Sequence, residues 1–303
     1  MTFAYSVPYT FTKLQNYARQ LMKSHVDAYS KPENQYMKET VLCKSLSGLE
    51  VPVITISSRV HSRTFEVIDE TEFTQESPPP LNKYKKYIIV CSRVHPGETN
   101  ASYIMQGFLD YISSEEPSAV ELRKRIVFKV IPMTNPDGVI VGNYRTSMSG
   151  NDLNRQFHAP NIKLHPTVCA IKGLVSEIIR NAKEPEPLSS FIDIHGHSRK
   201  KSIFIYGPHF PLHNERYLKM RVLPKLLSER SSMFRFYSCK FRIQKSKLKA
   251  ARVVLWREFG IMNCFTLEAS FHGYIDHERR TVELTNHMFE NMGHILAEGF
   301  WEY

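Results

Sequence analysis

Apolar residues along this chain fall into two alternating patterns. Residues 87–91, Tyr-Ile-Ile-Val-Cys, form an unbroken apolar run, the mark of a strand buried on both faces. Residues 126–132 read the same way. Between them Ala101, Ile104, Met105, Phe108, Leu109 and Ile112 recur at helical spacing. A second helical stripe (Ile171, Leu174, Val175, Ile178, Ile179) precedes a short strand over 191–194. Further strands are predicted over 202–206 and 263–267, a helix starting at 223–227, and a terminal helix over 282–300. Strand and helix in alternation predict one α/β domain with a mixed, mainly parallel central sheet flanked by helices. The run Glu76-Ser77-Pro78-Pro79-Pro80, followed by residues 82–86, reads as a stiff turn leading to a basic surface patch. It is too short to divide domains, and fits a loop between a hairpin and the first central strand.

Composition adds one unusual number. The chain has 303 residues, with 40 Lys and Arg against 30 Asp and Glu, a formal charge of +10. A hydrophobic content of 42% excludes a wholly disordered chain. No apolar run is long enough for a membrane span, and the first residues lack a basic stretch followed by an apolar one, so no secretory signal is visible. The charge points to an acidic partner: nucleic acid, anionic membrane or acidic peptide. The five cysteines contain no CxxC pair. Cys91 and Cys264 lie in apolar strand runs, which favours reduced core thiols in a cytosolic protein.

Chemistry gathers after the strands, where α/β sheets place their ligands. His95 and Glu98 follow the 87–91 strand, three positions apart and close enough to chelate one ion. Alone, such a pair is better read as a helix-N-terminal acid beside a surface histidine. His195 follows the 191–194 strand and would supply a third ligand. Two imidazoles, a carboxylate and an open position make a catalytic zinc arrangement, which lowers the pKa of a water. Three further runs follow the same rule: Asn135-Pro136-Asp137-Gly138 with Asn143-Tyr144-Arg145, then Asp152-Leu153-Asn154-Arg155, then Thr266-Leu267-Glu268.

Taken together and in this order, these five motifs resemble the funnelin family of zinc metallocarboxypeptidases, and more narrowly its cytosolic carboxypeptidase subgroup. The resemblance covers about residues 4 to 300 and implies a zinc carboxypeptidase-like fold with one zinc ion per chain, held by His95, Glu98 and His195. It implies Glu268 as general base and acid, and Arg145 as the charge facing the oxyanion. Asn154 and Arg155 would grip the terminal carboxylate, Arg being suited to this by its planar fork. Asp152 would orient a ligand imidazole, and Arg252 would be the basic residue that receives an acidic side chain. The implied function is removal of glutamates from acidic protein tails, with tubulin as the expected substrate. The expected setting is the cytoplasm, in association with the cytoskeleton, without nucleic acid or membrane as partner.

Plainer readings stand beside these. Asp152 and Arg155 form a surface ion pair; Asp193 only caps a strand end; His197 is a structural histidine; Glu268 is a buried, satisfied acid; Arg252 is a surface residue in a basic loop. Lys245, Lys247 and Lys249 read as solvated or as steering an acidic tail, and Tyr206 either lines the site or packs. The subgroup also carries an acid and a threonine where this chain has Leu248 and Ala250, and no match appears for the tyrosine that covers substrate in the digestive relatives. Residues 1–12 look like the tail end of an N-terminal β-sandwich domain that the subgroup carries, with residues 13–303 as the catalytic domain. The altered loop is the one feature favouring an alternative function: a non-catalytic binder of acidic tails or microtubules that uses the same basic cleft. Nucleic-acid binding rests on charge alone, since the basic clusters are scattered and no nucleic-acid motif accompanies them.

Overall fold

The computed structural model of the chain describes residues 4–27, 35–58, 85–181 and 186–303. Its first element, α1 (Phe11–Asp27), buries Phe11, Leu14, Ala18 and Leu21, a stripe at helical spacing. A hairpin of β1 (Gln35–Lys44) and β2 (Glu50–Ser58) follows, then β3 (Lys86–Ser92), α2 (Thr99–Ile112), α3 (Pro117–Arg125) and β4 (Ile126–Ile131). Next come the short α4 (Pro136–Val141), a 3-10 turn over Leu153–Arg155, α5 (Pro166–Asn181), β5 (Leu188–His197) and β6 (Ile203–Tyr206). The chain ends with α6 (Arg216–Arg230), α7 (Ala251–Phe259), β7 (Asn263–Ser270), a small pair β8 (Tyr274–Ile275) and β9 (Thr281–Val282), and α8 (Asn286–Glu302).

Seven strands form one sheet in the order β1-β2-β4-β3-β5-β7-β6. The four central strands run parallel, and β1, β2 and β6 add antiparallel edges. This is the mixed sheet with a parallel centre that the alternation of patterns predicts. Side-chain alternation divides the core. Ile88, Val90, Ile192, Ile194 and Phe265 face a layer built from α1, α2, α6 and α8. Tyr87, Ile89, Cys91, Phe191 and Cys264 face α5 and α7. All five cysteines are free, and Cys91 and Cys264 are buried as expected of core thiols. Among the described residues, no helix is long and apolar enough to cross a membrane.

Four expectations need correction. The strands read over 191–194 and 263–267 continue to His197 and Ser270, through polar residues that break the apolar pattern. The helix expected from Leu223 begins at Arg216; its first turn is only partly buried, with Leu218 and Lys219 exposed, and full burial starts at Met220. The terminal helix begins at Asn286 rather than Val282: Thr285 caps it by accepting from the Met288 N–H at 3.3 Å, while Val282 pairs with Tyr274. Lys85 is not part of a surface patch. It is buried and donates to Ser57 Oγ, to Ser58 O and to Arg123 O, and burial pushes its pKa down to about 7. The proline run 76–80 and residues 82–84 lie outside the described residues.

One packing contact matters for the site, because α2 follows directly on Glu98. Helices α2 and α8 cross with glycines at the contact. A Cβ on Gly107 would meet Glu290 O at 1.9 Å, and one on Gly293 would meet Ile104 O at 2.0 Å. Both obstacles are backbone, so neither can swing aside. The substitution Gly293→Ala is therefore expected to destabilise the fold by roughly 1–3 kcal/mol through overpacking, read as a lower urea midpoint at unchanged slope. An unchanged midpoint would contradict this close crossing.

Candidate active site

The carboxyl ends of β3, β5 and β7 converge, and register fixes what stands there. His195 on β5 is paired directly with Glu268 on β7, and Asp193 with Thr266. Since side chains alternate, Asp193, His195, Thr266 and Glu268 emerge on one face of these adjacent strands. His95 and Glu98 come from the loop between β3 and α2. That loop is held from beneath by Arg93, a buried residue at φ 58° whose guanidinium donates to Pro96 O (2.9 Å), Tyr9 O (3.0 Å) and Ser102 Oγ (2.8 Å).

His95, Glu98 and His195 are all buried, and their donor atoms lie within 4.8 Å of one another. Nε2 of His95 faces Asp152 Oδ1 at 3.1 Å, and Nε2 of His195 faces Asp193 Oδ2 at 2.7 Å. A carboxylate accepts only, so Nε2 of each ring donates to its acid and Nδ1 is the nitrogen turned inward, where it donates to Glu98 or, once that proton is displaced by a cation, offers its lone pair. The two Nδ1 atoms are 3.1 Å apart, and Glu98 oxygens lie 2.7 and 3.0 Å from them. Two inward lone pairs and a carboxylate this close, in a buried place, repel unless positive charge sits among them. The electrostatics agree. Burial opposes protonation of His95 and His195, but Glu98, Asp152 and Asp193 outweigh it, so both imidazole pKa values are raised. The Glu98 carboxyl is held below its ordinary range: burial alone would raise it, and the two histidines reverse that. This donor set, with an acid behind each imidazole, fits a divalent ion such as zinc.

The remaining expected residues come together here. Asp152 links two of them: Oδ1 faces His95, and Oδ2 accepts from Arg145 Nε (2.9 Å) and Nη2 (2.8 Å). The partner of Asp152 is thus Arg145 rather than Arg155, whose Nη1 donates to Asn154 O at 2.8 Å. Asn154 is buried. Its Oδ1 accepts from Ala251 N–H at 2.9 Å, which ties it to the start of α7. Arg252 is neither exposed nor in a loop. It is buried in the first turn of α7, beside Tyr206 and near Thr266 Oγ1 (3.4 Å), and its Nε has no hydrogen-bond partner. The two loop departures leave α7 intact. Leu248 is exposed, and Ala250 stands at the helix N-cap without a side-chain oxygen, where Asn154 satisfies the adjacent N–H instead.

One motif, Asn135 to Gly138, proves to be scaffolding. Asn135 caps α4 by accepting from Gly138 N–H, and its amide donates to Val94 O (3.2 Å). Asp137 accepts from Ser45 Oγ at 2.6 Å. A Cβ on Gly138 would strike Pro96 at 2.3 Å, so only glycine lets this turn support the His95 loop. His197 is structural, as expected, and accepts from the N–H groups of Arg199 and Lys200.

These side chains surround a cavity of about 490 Å³ lined by Arg145, Asn154, Arg155, Tyr206, Arg252 and Glu268, with His95, Glu98 and His195 on its wall. Tyr144, Arg199, Lys240, Arg242 and Lys247 also line it, and none of these five was singled out for the site. Lys247 had read as solvated; sequence offers no signal for its turn inward. Asp193 was underrated, although its spacing from His195 places both on one strand face.

Comparison with known proteins agrees with this geometry. Residues 22–207 match the family model described as zinc carboxypeptidase. The chain is 38% identical to cytosolic carboxypeptidase 1 of Mus musculus over 96% of its length and 23% of that protein's. It is 36% identical to cytosolic carboxypeptidase 2 of Danio rerio over 99% of its length and 38% of that protein's. It therefore spans only part of the curated relatives it matches. Among solved structures, a metallo-carboxypeptidase from Burkholderia cenocepacia superimposes with a TM-score of 0.74 at 22% identity, covering 97% of this chain and 68% of that one. A carboxypeptidase A from Helicoverpa armigera gives a TM-score of 0.59 at 14% identity, covering 96% and 71%.

Removing an acid behind an imidazole tests the metal reading. The substitution Asp193→Asn is expected to weaken zinc binding about 10- to 100-fold with the fold retained, measured by competition with a chromogenic chelator. Unchanged affinity would mean that Asp193 does not orient His195 toward a metal.

Proposed function

The chain belongs to the zinc carboxypeptidase family, and on that premise we propose that it removes C-terminal glutamates from acidic protein tails, with the tails of tubulin as the expected substrate. The observation that supports acidic substrates most directly is the charge of the cavity. Seven Lys and Arg residues line it against two carboxylates, Glu98 and Glu268, and Glu98 is committed to the histidines. A basic terminal side chain would be repelled by this excess of positive charge, whereas a glutamate would be drawn to it, with Arg252 and Lys247 among the lining residues.

His95, Glu98 and His195 would hold one zinc ion, which when bound polarises the scissile carbonyl and acidifies water. Glu268 accepts the proton of the attacking water and passes it to the leaving amine. Its strand pairing with His195, beside the ligand cluster, supports this role. Burial pushes its pKa up to about 7; His195 pulls it down, Glu98 pushes it up, and Arg252 pulls it down. Such a group switches between base and acid near neutral pH, as a proton carrier must. Arg145, tethered by Asp152, presents fixed positive charge to the oxyanion. Arg155 and the Asn154 amide bind the terminal carboxylate, and this contact makes the enzyme an exopeptidase.

Incubating the zinc-loaded chain with peptides ending in Glu, Asp, Lys or Phe, followed by mass spectrometry, tests the specificity. Glu is expected to be released first; preferential loss of Phe or Lys would overturn the acidic assignment. For the chemistry, Glu268→Gln is expected to keep zinc while losing about 10²- to 10⁴-fold in kcat. Full activity in this variant would refute Glu268 as the base. The sign of the pH effect follows from the raised pKa. Below it Glu268 is protonated and cannot accept a proton, so kcat/KM should fall as pH drops, with a midpoint displaced from the ordinary 4.5 toward 7. A profile flat between about pH 5 and 8 would contradict that role.

A further inference from the structure

A second cavity, of about 580 Å³, lies beside the catalytic one and shares Arg242 with it. Three arginines, Arg221, Arg242 and Arg257, and His209 line it together with aromatic rings, and no Asp or Glu does. The Arg221 guanidinium lies 3.6 Å from the Tyr217 ring centre and 4.3 Å from that of Phe241, and Arg257 lies 5.8 Å from Trp256. Stacking fixes the planes of Arg221 and Arg257; one Arg221 N–H donates to Tyr217 O, and its remaining N–H edge is open to a ligand. Among the described residues, none of the three arginines forms an ion pair; the neighbouring Glu258 is engaged by Lys172 at 2.7 Å. Three guanidinium groups gathered without a counter-charge repel one another, and a row of carboxylates would relieve that repulsion. Their flat forks match carboxylates in geometry as well as in charge.

We propose that this cavity is an exosite for the acidic stretch of the substrate chain that precedes the residue being removed. The inference rests on the reading of the catalytic cavity as one for acidic tails. Arg242 borders both cavities, so a chain whose terminus enters the first crosses directly onto the second. Recognition would then be divided between the two. The catalytic cavity selects the terminal residue, and the exosite selects for acidic sequence upstream of it. The enzyme would discriminate between an acidic tail and a lone terminal glutamate on an otherwise neutral chain.

Binding is tested apart from hydrolysis by fluorescence anisotropy with an acidic peptide whose C-terminus is amidated. The variants are Arg257→Glu, at an exposed position, and Arg221→Gln. Wild type is expected to bind, and each variant to bind about tenfold more weakly, while release of glutamate from a blocked dipeptide ending in Glu stays unchanged. Absence of peptide binding in wild type, equal affinity in the variants, or preference for an RNA oligonucleotide of the same charge would overturn the exosite. Equal loss on dipeptide and long peptide would show a general structural defect and also overturn it. If wild type does not hydrolyse the dipeptide but the variants still lose peptide binding, the catalytic reading fails and the exosite stands.

Discussion

The site depends on one constraint: two imidazoles buried at the end of the sheet must each give up one nitrogen to a carboxylate. Asp193 on β5 takes Nε2 of His195, and Asp152, ahead of the 3-10 turn, takes Nε2 of His95. Unsatisfied polar groups at this depth would cost too much to keep, so each partner is fixed in place. The partners in turn arrange the rest. Asp152 draws Arg145 to the cavity, and Asn154, two residues on, anchors the start of α7 and with it Arg252. Glu98 completes the set by bridging both rings and accepting the Gly196 N–H. The two histidines, Glu98, Asp152, Arg145 and Asn154 form one connected polar network on an otherwise apolar sheet.

Much of this was legible in the sequence, and the failures have physical causes. The central strands were readable because both faces of a parallel sheet are covered, which demands unbroken apolar runs such as 87–91. The same rule ended β5 and β7 too early. Of their last residues His195, His197 and Glu268 line the cavity and are polar, so strand and site overlap where the apolar pattern breaks. His95, Glu98 and His195, which the structure brings together, stand out in the sequence because each follows a strand and the motifs occur in order. Asp193 was taken for a strand-end cap because an acid inside an apolar run has no periodic signature. Its role depends on facing the same way as His195, which emerges only when strand alternation is applied to polar residues. Lys247 and the rest of the basic lining come from irregular segments, where no period exists to read.

The net charge of +10 also looks different in the structure. Lys85 is buried among main-chain carbonyls, and Arg93 is a staple for the His95 loop, so neither offers charge to a partner. Elsewhere Arg230 pairs with Glu298 and Glu302, and Lys172 with Glu258. Two adjoining cavities are lined by basic residues with few acids among them. Concave surfaces of one sign focus the field, so these few residues matter more to an acidic ligand than the total does.

The central claim is that the two inward-facing imidazole lone pairs and Glu98 form a site for one zinc ion. Native mass spectrometry of the chain after incubation with zinc tests it without reference to any substrate. The account expects a mass increase of one zinc per chain for wild type, and none when His95 and His195 are both replaced by alanine. A wild-type chain that takes up no zinc, or a double variant that still retains it, would contradict the account.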